Sequence, residues 1–276
     1  MPDVIRSLLF VPGSKPERFV KAQNSGVDIT CIDLEDAVLP TDKDAARQAA
    51  IDYLNVEHSD ICVRINPIGT ALGLADLKAL AAVNPAYIML AKCDSVDDIK
   101  IASEVLALCN TQLIALIETP RGLANANDIA LASNKVKALM FGGADMSAEL
   151  RCDFDYEALL FVRSQLVLAA ANAKVDLIDV PYINIKDEAG LISETKKVKA
   201  LGYTAKAAIH PNQIDLIHQA FAPTKAQIDY ANAVMVAVDG KDDAGVVVIN
   251  GRMVDRPIIL ASKRILQLAD AAKKTH

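Results

Sequence analysis

The stretch "QLIALIETPRG" (112–122) sets five apolar residues in a row, Leu113 to Ile117, and closes them with a carboxylate, Glu118, followed by Thr119 and Pro120. A strand buried on both faces reads as a short continuous apolar run, whereas a half-exposed strand alternates. The stretch "VKALMFGGADMS" (136–147) repeats the design and places Asp145 where the first places Glu118. Working outward, similar runs stand at 6–12, 28–36, 61–66, 86–92, 175–182 and 203–211, which with 112–118 and 136–145 makes eight predicted strands. Helical spacing fills the intervals, as in "SVDDIKIASEVLAL", which opens with Ser95 as an N-cap and carries Asp97 and Asp98 in its first turn. Strand–helix alternation of this kind implies parallel pairing through right-handed crossovers.

Eight such units within 1–221 predict a (β/α)8 TIM barrel rather than an open doubly wound sheet. Neither G-x-G-x-x-G after the first strand nor G-x-x-x-x-G-K-[ST] occurs, so nucleotide-binding open sheets lose their main support. Residues 222–276 read as an appendage, a small helix–hairpin–helix lid: a helix in "PTKAQIDYANAVMVAV", a polar turn "DGKDDAG", a hairpin signal at Asn250-Gly251, and a last helix with Pro257 in its first turn.

A chain of 276 residues, 52% hydrophobic, can bury a large core, and its formal net charge of −6 argues against a nucleic-acid surface. The apolar runs are strand-sized, which excludes a helical membrane span. The opening "MPDVIRSLLFVPG" has no features of a secretory leader, and the five scattered cysteines form no C-x-x-C, so a reducing cytoplasm is expected.

In a barrel the chemistry is built at the C-terminal rim. The strand ends there supply Glu35 and Asp36, Arg64 and Asn66, Lys92, Glu118, Asp145, Pro181 and His210. Any one strand-end carboxylate can be a helix cap or a surface ion pair; Glu118 and Asp145 on adjacent strands, about 4.8 Å apart, converge on one point. Two bare carboxylates at about 4.5 Å would repel by roughly 3–4 kcal/mol at an effective dielectric of about 20. A cation between them is therefore expected, and Arg64 or a divalent metal could supply it. With two carboxylates and no His or Cys at ligand spacing, the set suits Mg²⁺, which keeps waters and completes its shell from the substrate. Arg64 suits a substrate carboxylate, gripped bidentately. Lys92 and Lys206 offer a different chemistry, a Schiff-base aldolase. Lys15 and Arg18, after the first strand, are either phosphate contacts for a nucleotide or solvated charges. His210 and Asn212 either line a substrate arm or brace their own loop.

The motifs "RSLLFVPG" (6–13), "CIDLEDAV" (31–38), "VRIN" (63–66), "IET" (117–119), "FGGADM" (141–146) and "IHPNQI" (209–214) together resemble the HpcH/HpaI aldolase and citrate lyase β-subunit superfamily, CitE-like proteins included. The resemblance implies a Mg²⁺-dependent TIM-barrel carbon–carbon lyase. It would cleave a 3-hydroxyacyl-CoA of the citramalyl-CoA or malyl-CoA type to acetyl-CoA plus pyruvate or glyoxylate. Glu118 and Asp145 would hold the metal, Arg64 the substrate carboxylate, and Glu35 and Asp36 would support them from behind. The tail "GRMVDRP" is similar to the lid of citramalyl-CoA and malyl-CoA lyases, which implies that Asp255 acts from a neighbouring subunit of a homo-oligomer, a homotrimer or a hexamer. A citrate lyase β subunit, forming oxaloacetate from a citryl thioester on an acyl carrier protein, is the alternative within the superfamily. Malyl, methylmalyl and citramalyl substrates stay undivided here, because one methyl in a pocket is worth only about 1–3 kcal/mol.

Overall fold

The computed structural model describes residues 4–56, 60–238, 247–249 and 252–274. Two compact units result, 1–217 and 218–276.

The first is a closed barrel of eight parallel strands in chain order: β1 (Ser7–Pro12), β2 (Ile29–Asp33), β3 (Ile61–Ile65), β4 (Tyr87–Leu90), β5 (Gln112–Ile117), β6 (Val136–Phe141), β7 (Asp176–Asp179) and β8 (Ala205–Ala208). Closure is made by β8 against β1, with Ser7 opposite Lys206. Between the strands run α1 (Phe19–Gln23), α2 (Lys43–Leu54), α3 (Ala71–Ala81), α4 (Val96–Val105), α5 (Pro120–Leu131), α6 (Gly143–Leu150), α7 (Leu160–Ala173) and α8 (Glu188–Leu201), and α9 (Ile214–Phe221) follows the last strand. All eight predicted strands form, and the (β/α)8 expectation holds.

Alternation along each strand sorts side chains to the two faces of the barrel wall. Ile29 and Cys31 of β2, Cys62 of β3, Met89 of β4, Ile114 and Leu116 of β5, Ala138 and Met140 of β6, Ile178 of β7 and Ala205 and Ala207 of β8 pack into one buried cluster inside the barrel. Residues of the other parity face the helices. Every side chain of β4 is buried, which is why this strand reads as an unbroken apolar run. Local capping fixes where the helices begin. Ser95 and Asp98 form a reciprocal capping box on α4, and Thr119 accepts from the Gly122 N–H at 2.9 Å while Pro120 opens α5.

Seven of the eight strands end one to four residues short of the sequence expectation, β1 alone ending at the expected Pro12. β2 stops at Asp33 rather than Asp36, and β6 stops at Phe141 rather than Asp145, because Gly142-Gly143 releases the chain into α6. Asp145 therefore sits in the first turn of a helix, not on a strand, where the helix dipole favours a carboxylate.

In the second unit α10 (Lys225–Ala237), β9 (Val247–Ile249), β10 (Arg252–Val254) and α11 (Arg256–Lys274) follow one another. β9 and β10 pair antiparallel, with Arg252 opposite Ile249. Val234, Val238, Val254 and Ile259 form a small core of their own. The hairpin turn expected at Asn250-Gly251 and the polar turn at 239–245 lie outside the described residues. Among the described residues no helix is long and apolar enough to cross a membrane.

Candidate active site

The inward parity that builds the barrel core continues past the strand ends and lines one cavity of about 450 Å³. Phe10 and Pro12 follow Leu8, Asp33 follows Cys31, Arg64 follows Cys62, and Glu118, Gly142, Val180 and Ile209 continue β5 to β8 in the same way. Asp36 and Asp145 complete its acidic side.

Arg64 is gripped before any substrate arrives. Its Nε and Nη2 donate to the two carboxylate oxygens of Asp33 at 2.7 and 2.6 Å, and its Nη1 lies 3.4 Å from Glu35. The guanidinium also stacks 5.0 Å over the Phe10 ring. Burial alone would weaken the hold on its proton, but the Asp33 bond and the charges of Asp33 and Glu35 outweigh it and push the pKa up. Asp33 is in turn held by main-chain N–H groups of Glu35 and Ala37 at 2.9 and 3.1 Å. So the bidentate carboxylate partner of Arg64 in this structure is Asp33, and the Nη1 edge is left to face a ligand. The sequence does not single out Asp33, because "DLED" offers three acids and the later two stand at the expected strand end.

Glu118 is 4% exposed, its Oε1 accepting from the Lys92 main-chain N–H at 2.8 Å. Burial pushes its pKa up to about 8; the Lys92 bond and charge pull the other way, and the charge of Asp145 adds to the rise. Gly142 is needed beside it, since a Cβ there would stand 2.4 Å from the Glu118 Cβ and 2.7 Å from its Oε2. Gly142→Ala is accordingly expected to displace Glu118 and destabilise the fold by about 1–3 kcal/mol, as overpacking does; thermal denaturation measures it. Among the described residues no group of three or more His, Cys, Asp or Glu side chains stands together as a metal site. Of the four carboxylates on the open cavity, Asp33 is taken by Arg64, and Glu118 with Asp145 offers a donor set of hard oxygens that fits Mg²⁺ rather than a closed zinc site.

The HpcH/HpaI aldolase/citrate lyase family profile matches residues 6–211, which spans the whole barrel. The chain belongs to this family. It is 33% identical over 280 residues to the citrate lyase subunit beta of Haemophilus influenzae, covering 96% of both chains. It is 29% identical to the mitochondrial citramalyl-CoA lyase of Rattus norvegicus, covering 98% of this chain and 87% of that one. Among solved structures, protein CitE from Mycobacterium tuberculosis, in complex with magnesium, acetoacetate and coenzyme A, superposes with a TM-score of 0.82 at 31% identity, over 98% of this chain and 100% of that one.

Within this member of the family the remaining candidates separate. Glu35 is buried and accepts from Lys92 Nζ at 2.7 Å, with the Asp36 N–H on its other oxygen. Its loop is pinned from behind by Lys43, whose Nζ donates to the Leu34 and Glu35 carbonyls. Asp36 is exposed, 4.0 Å from Arg64 Nη1. Lys206 takes the outward parity of β8. It is fully buried between Asp179, at 2.5 Å, and Glu194, at 2.8 Å, with Arg163 on the far oxygen of Asp179. It faces the helices, away from the cavity. Lys92 is held protonated: burial opposes the charge, but Glu35 and the surrounding acids raise its pKa. Lys92 is thus unlike a desolvated neutral amine, and Lys206 does not line the cavity. His210 caps the turn at Pro211–Gln213, its Nδ1 accepting from the Asn212 N–H at 3.2 Å, so the pair braces its own loop, and Ile209 is the neighbour that lines the cavity. Lys15 precedes an exposed turn and Arg18 lies 3.9 Å from Glu17, neither of them on the cavity wall. Asp255 stands between β10 and α11 in the second unit, partly buried, its carbonyl accepting from the Ile259 N–H.

Proposed function

We propose that the protein is a Mg²⁺-dependent carbon–carbon lyase that cleaves a 3-hydroxyacyl-CoA of the citramalyl-CoA or malyl-CoA type to acetyl-CoA and pyruvate or glyoxylate. The observation that carries this reading is the convergence of Glu118, Asp145 and the Arg64 Nη1 edge on one cavity. Glu118 and Asp145 would hold the ion, which when bound polarises the substrate hydroxyl and lowers its pKa. Arg64 would pair with the carboxylate of the oxoacid half and neutralise charge gathering on the carbonyl formed there. Its own orientation is fixed by Asp33, so no rearrangement is required at the moment of reaction. The hydroxyl proton would leave to solvent before the site closes; as the carbon–carbon bond then breaks, its electron pair passes to the thioester enolate, and Asp255 would give that carbon a proton once water is excluded. Lys15 and Arg18, exposed beyond the cavity, would serve the phosphates of coenzyme A.

Names among the relatives favour one second reading, a citrate lyase β subunit acting on a carrier-bound citryl thioester. A panel of citramalyl-, malyl- and citryl-CoA, assayed with Mg²⁺ and again after EDTA, separates the readings. Turnover of a CoA ester that EDTA abolishes supports the proposal; silence on every free CoA ester favours the carrier-dependent subunit. Activity that survives EDTA and traps with borohydride would revive the lysine route.

We also propose that Asp255 works from a neighbouring subunit of a homo-oligomer, a trimer or hexamer, with 222–276 as its lid. Asp255→Ala and Arg64→Ala, each inactive alone, should regain a fraction of the activity when mixed under conditions that exchange subunits. If exchange is shown by mass and activity stays at zero, or if a monomer is fully active, Asp255 does not act across subunits.

A further inference from the structure

Lys92 ends the fourth unit of the barrel with φ of 49°, a left-handed backbone that a lysine rarely adopts and that glycine would adopt without strain. Its parity points outward from β4, and the left-handed turn is what swings it to the rim. There it touches three acids. Its N–H holds Glu118 at 2.8 Å, and its Nζ lies 2.7 Å from Glu35 Oε1 and 3.7 Å from Asp145 Oδ2. Glu35 and Asp145 thus meet the same nitrogen, and as held there Glu35 does not join Glu118 and Asp145 in a three-carboxylate cluster among the described residues. A backbone strained to place an ammonium between these carboxylates suggests a function for the ammonium.

We infer that Lys92 is a positioning residue that withholds Glu35 from the metal, so that only Glu118 and Asp145 bind it and open positions remain for substrate oxygens. This rests on the reading that those two carboxylates hold Mg²⁺. Mg²⁺ takes about six oxygens in octahedral array, and a third carboxylate would tighten its binding while closing a position the substrate needs. The Asp36 N–H at 2.9 Å and Arg64 Nη1 at 3.4 Å both meet Glu35 Oε2, which leaves Oε1 to Lys92.

The test replaces Lys92 in two ways. Lys92→Met removes the ammonium; Lys92→Gly also removes it but keeps the left-handed turn without strain and the N–H to Glu118, so a loss of stability common to both is that of Glu35 left without its ammonium. Mn²⁺ stands in for Mg²⁺, its affinity read by electron paramagnetic resonance and its exchangeable waters by proton relaxation. Both variants should bind Mn²⁺ at least about fivefold more tightly with fewer exchangeable waters, bind pyruvate or glyoxylate about tenfold or more weakly in its presence, and lose turnover. Adding Glu35→Gln to either should return Mn²⁺ affinity and water count towards wild type. Mn²⁺ affinity that is unchanged or weaker in both variants, or that Glu35→Gln does not reverse, overturns the inference. Wild-type protein that binds no Mn²⁺ would instead remove the metal reading beneath it.

Discussion

Glu118→Gln is expected to reduce turnover by on the order of 10³-fold or more, and Asp145→Asn to do the same, because each removes one of the two protein ligands proposed for the ion. The two variants part company in stability. Glu118 is almost fully buried, and burial holds its carboxyl at about pH 8 against an ordinary value of 4.5. An acid whose folded pKa is raised keeps its proton in the folded state, so the ionised form costs stability. That cost is complete above pH 8, shrinks as pH falls from 8 to 4.5, and is gone below. Glu118→Gln keeps the acceptor for the Lys92 N–H and carries no charge. The metal-free variant should therefore be more stable than metal-free wild type at pH 9 by a few kcal/mol, at about 1.4 per pKa unit as an upper scale, with no difference near pH 4.5. Asp145 is 41% exposed in its side chain, so Asp145→Asn removes a charge that water already reaches and relieves no comparable burial. Metal binding to wild type should release a proton below pH 8, so affinity should climb with pH and level off above it. Denaturation curves at pH 5, 7 and 9 with and without Mg²⁺ measure both effects. Turnover near wild type in either variant would remove these residues from the metal.

How much of this was visible in the chain depends on whether a feature is local. The strands were legible because parallel strands buried on both faces leave uninterrupted apolar runs, as in Leu113–Ile117. The rim was legible because a charge after such a run has nowhere to go but the end of the barrel. Asp33 shows where local reading stopped short. Nothing in "CIDLED" separates its acids until the two-residue period is carried from Ile29 and Cys31 to Asp33, which puts it inside the barrel beside Arg64 and leaves Glu35 to the loop. Gly142-Gly143 could have warned that the strand ends before Asp145, since paired glycines break a strand. Other features were beyond reach. The outward turn of Lys206 is stabilised by Asp179 and Glu194, 27 and 12 residues away in sequence, and no period announces such a partnership. The left-handed backbone at Lys92 is likewise imposed by what surrounds it, not by its own preference.

Arg64→Lys should be among the most damaging single changes, lowering kcat/KM by about 10²–10³-fold although charge is conserved. The reason lies in how the guanidinium is divided. Two of its nitrogens, Nε and Nη2, are engaged by Asp33, and the Nη1 edge faces Glu35 and the cavity. A lysine ammonium can satisfy Asp33 or reach the cavity, but one nitrogen cannot do both in fixed geometry. Asp33 is 2% exposed, and its attraction should win, drawing the ammonium away from the ligand. Stability should then fall only modestly, because Asp33 keeps a cation and the main-chain bonds from Glu35 and Ala37. Affinity for the oxoacid should fall with kcat/KM, since the contact is made to a carboxylate present before the transition state. Asp33→Asn is the converse change: Arg64 stays in the cavity but loses its fixed charge partner, so the loss should be smaller and should fall more on kcat than on oxoacid binding. Calorimetric binding of pyruvate and glyoxylate to each variant, alongside steady-state rates, distinguishes the cases. If Arg64→Lys keeps most of the oxoacid affinity, the carboxylate is bound elsewhere, and the Asp33–Arg64 pair is a structural brace at the barrel rim rather than the anchor of the substrate.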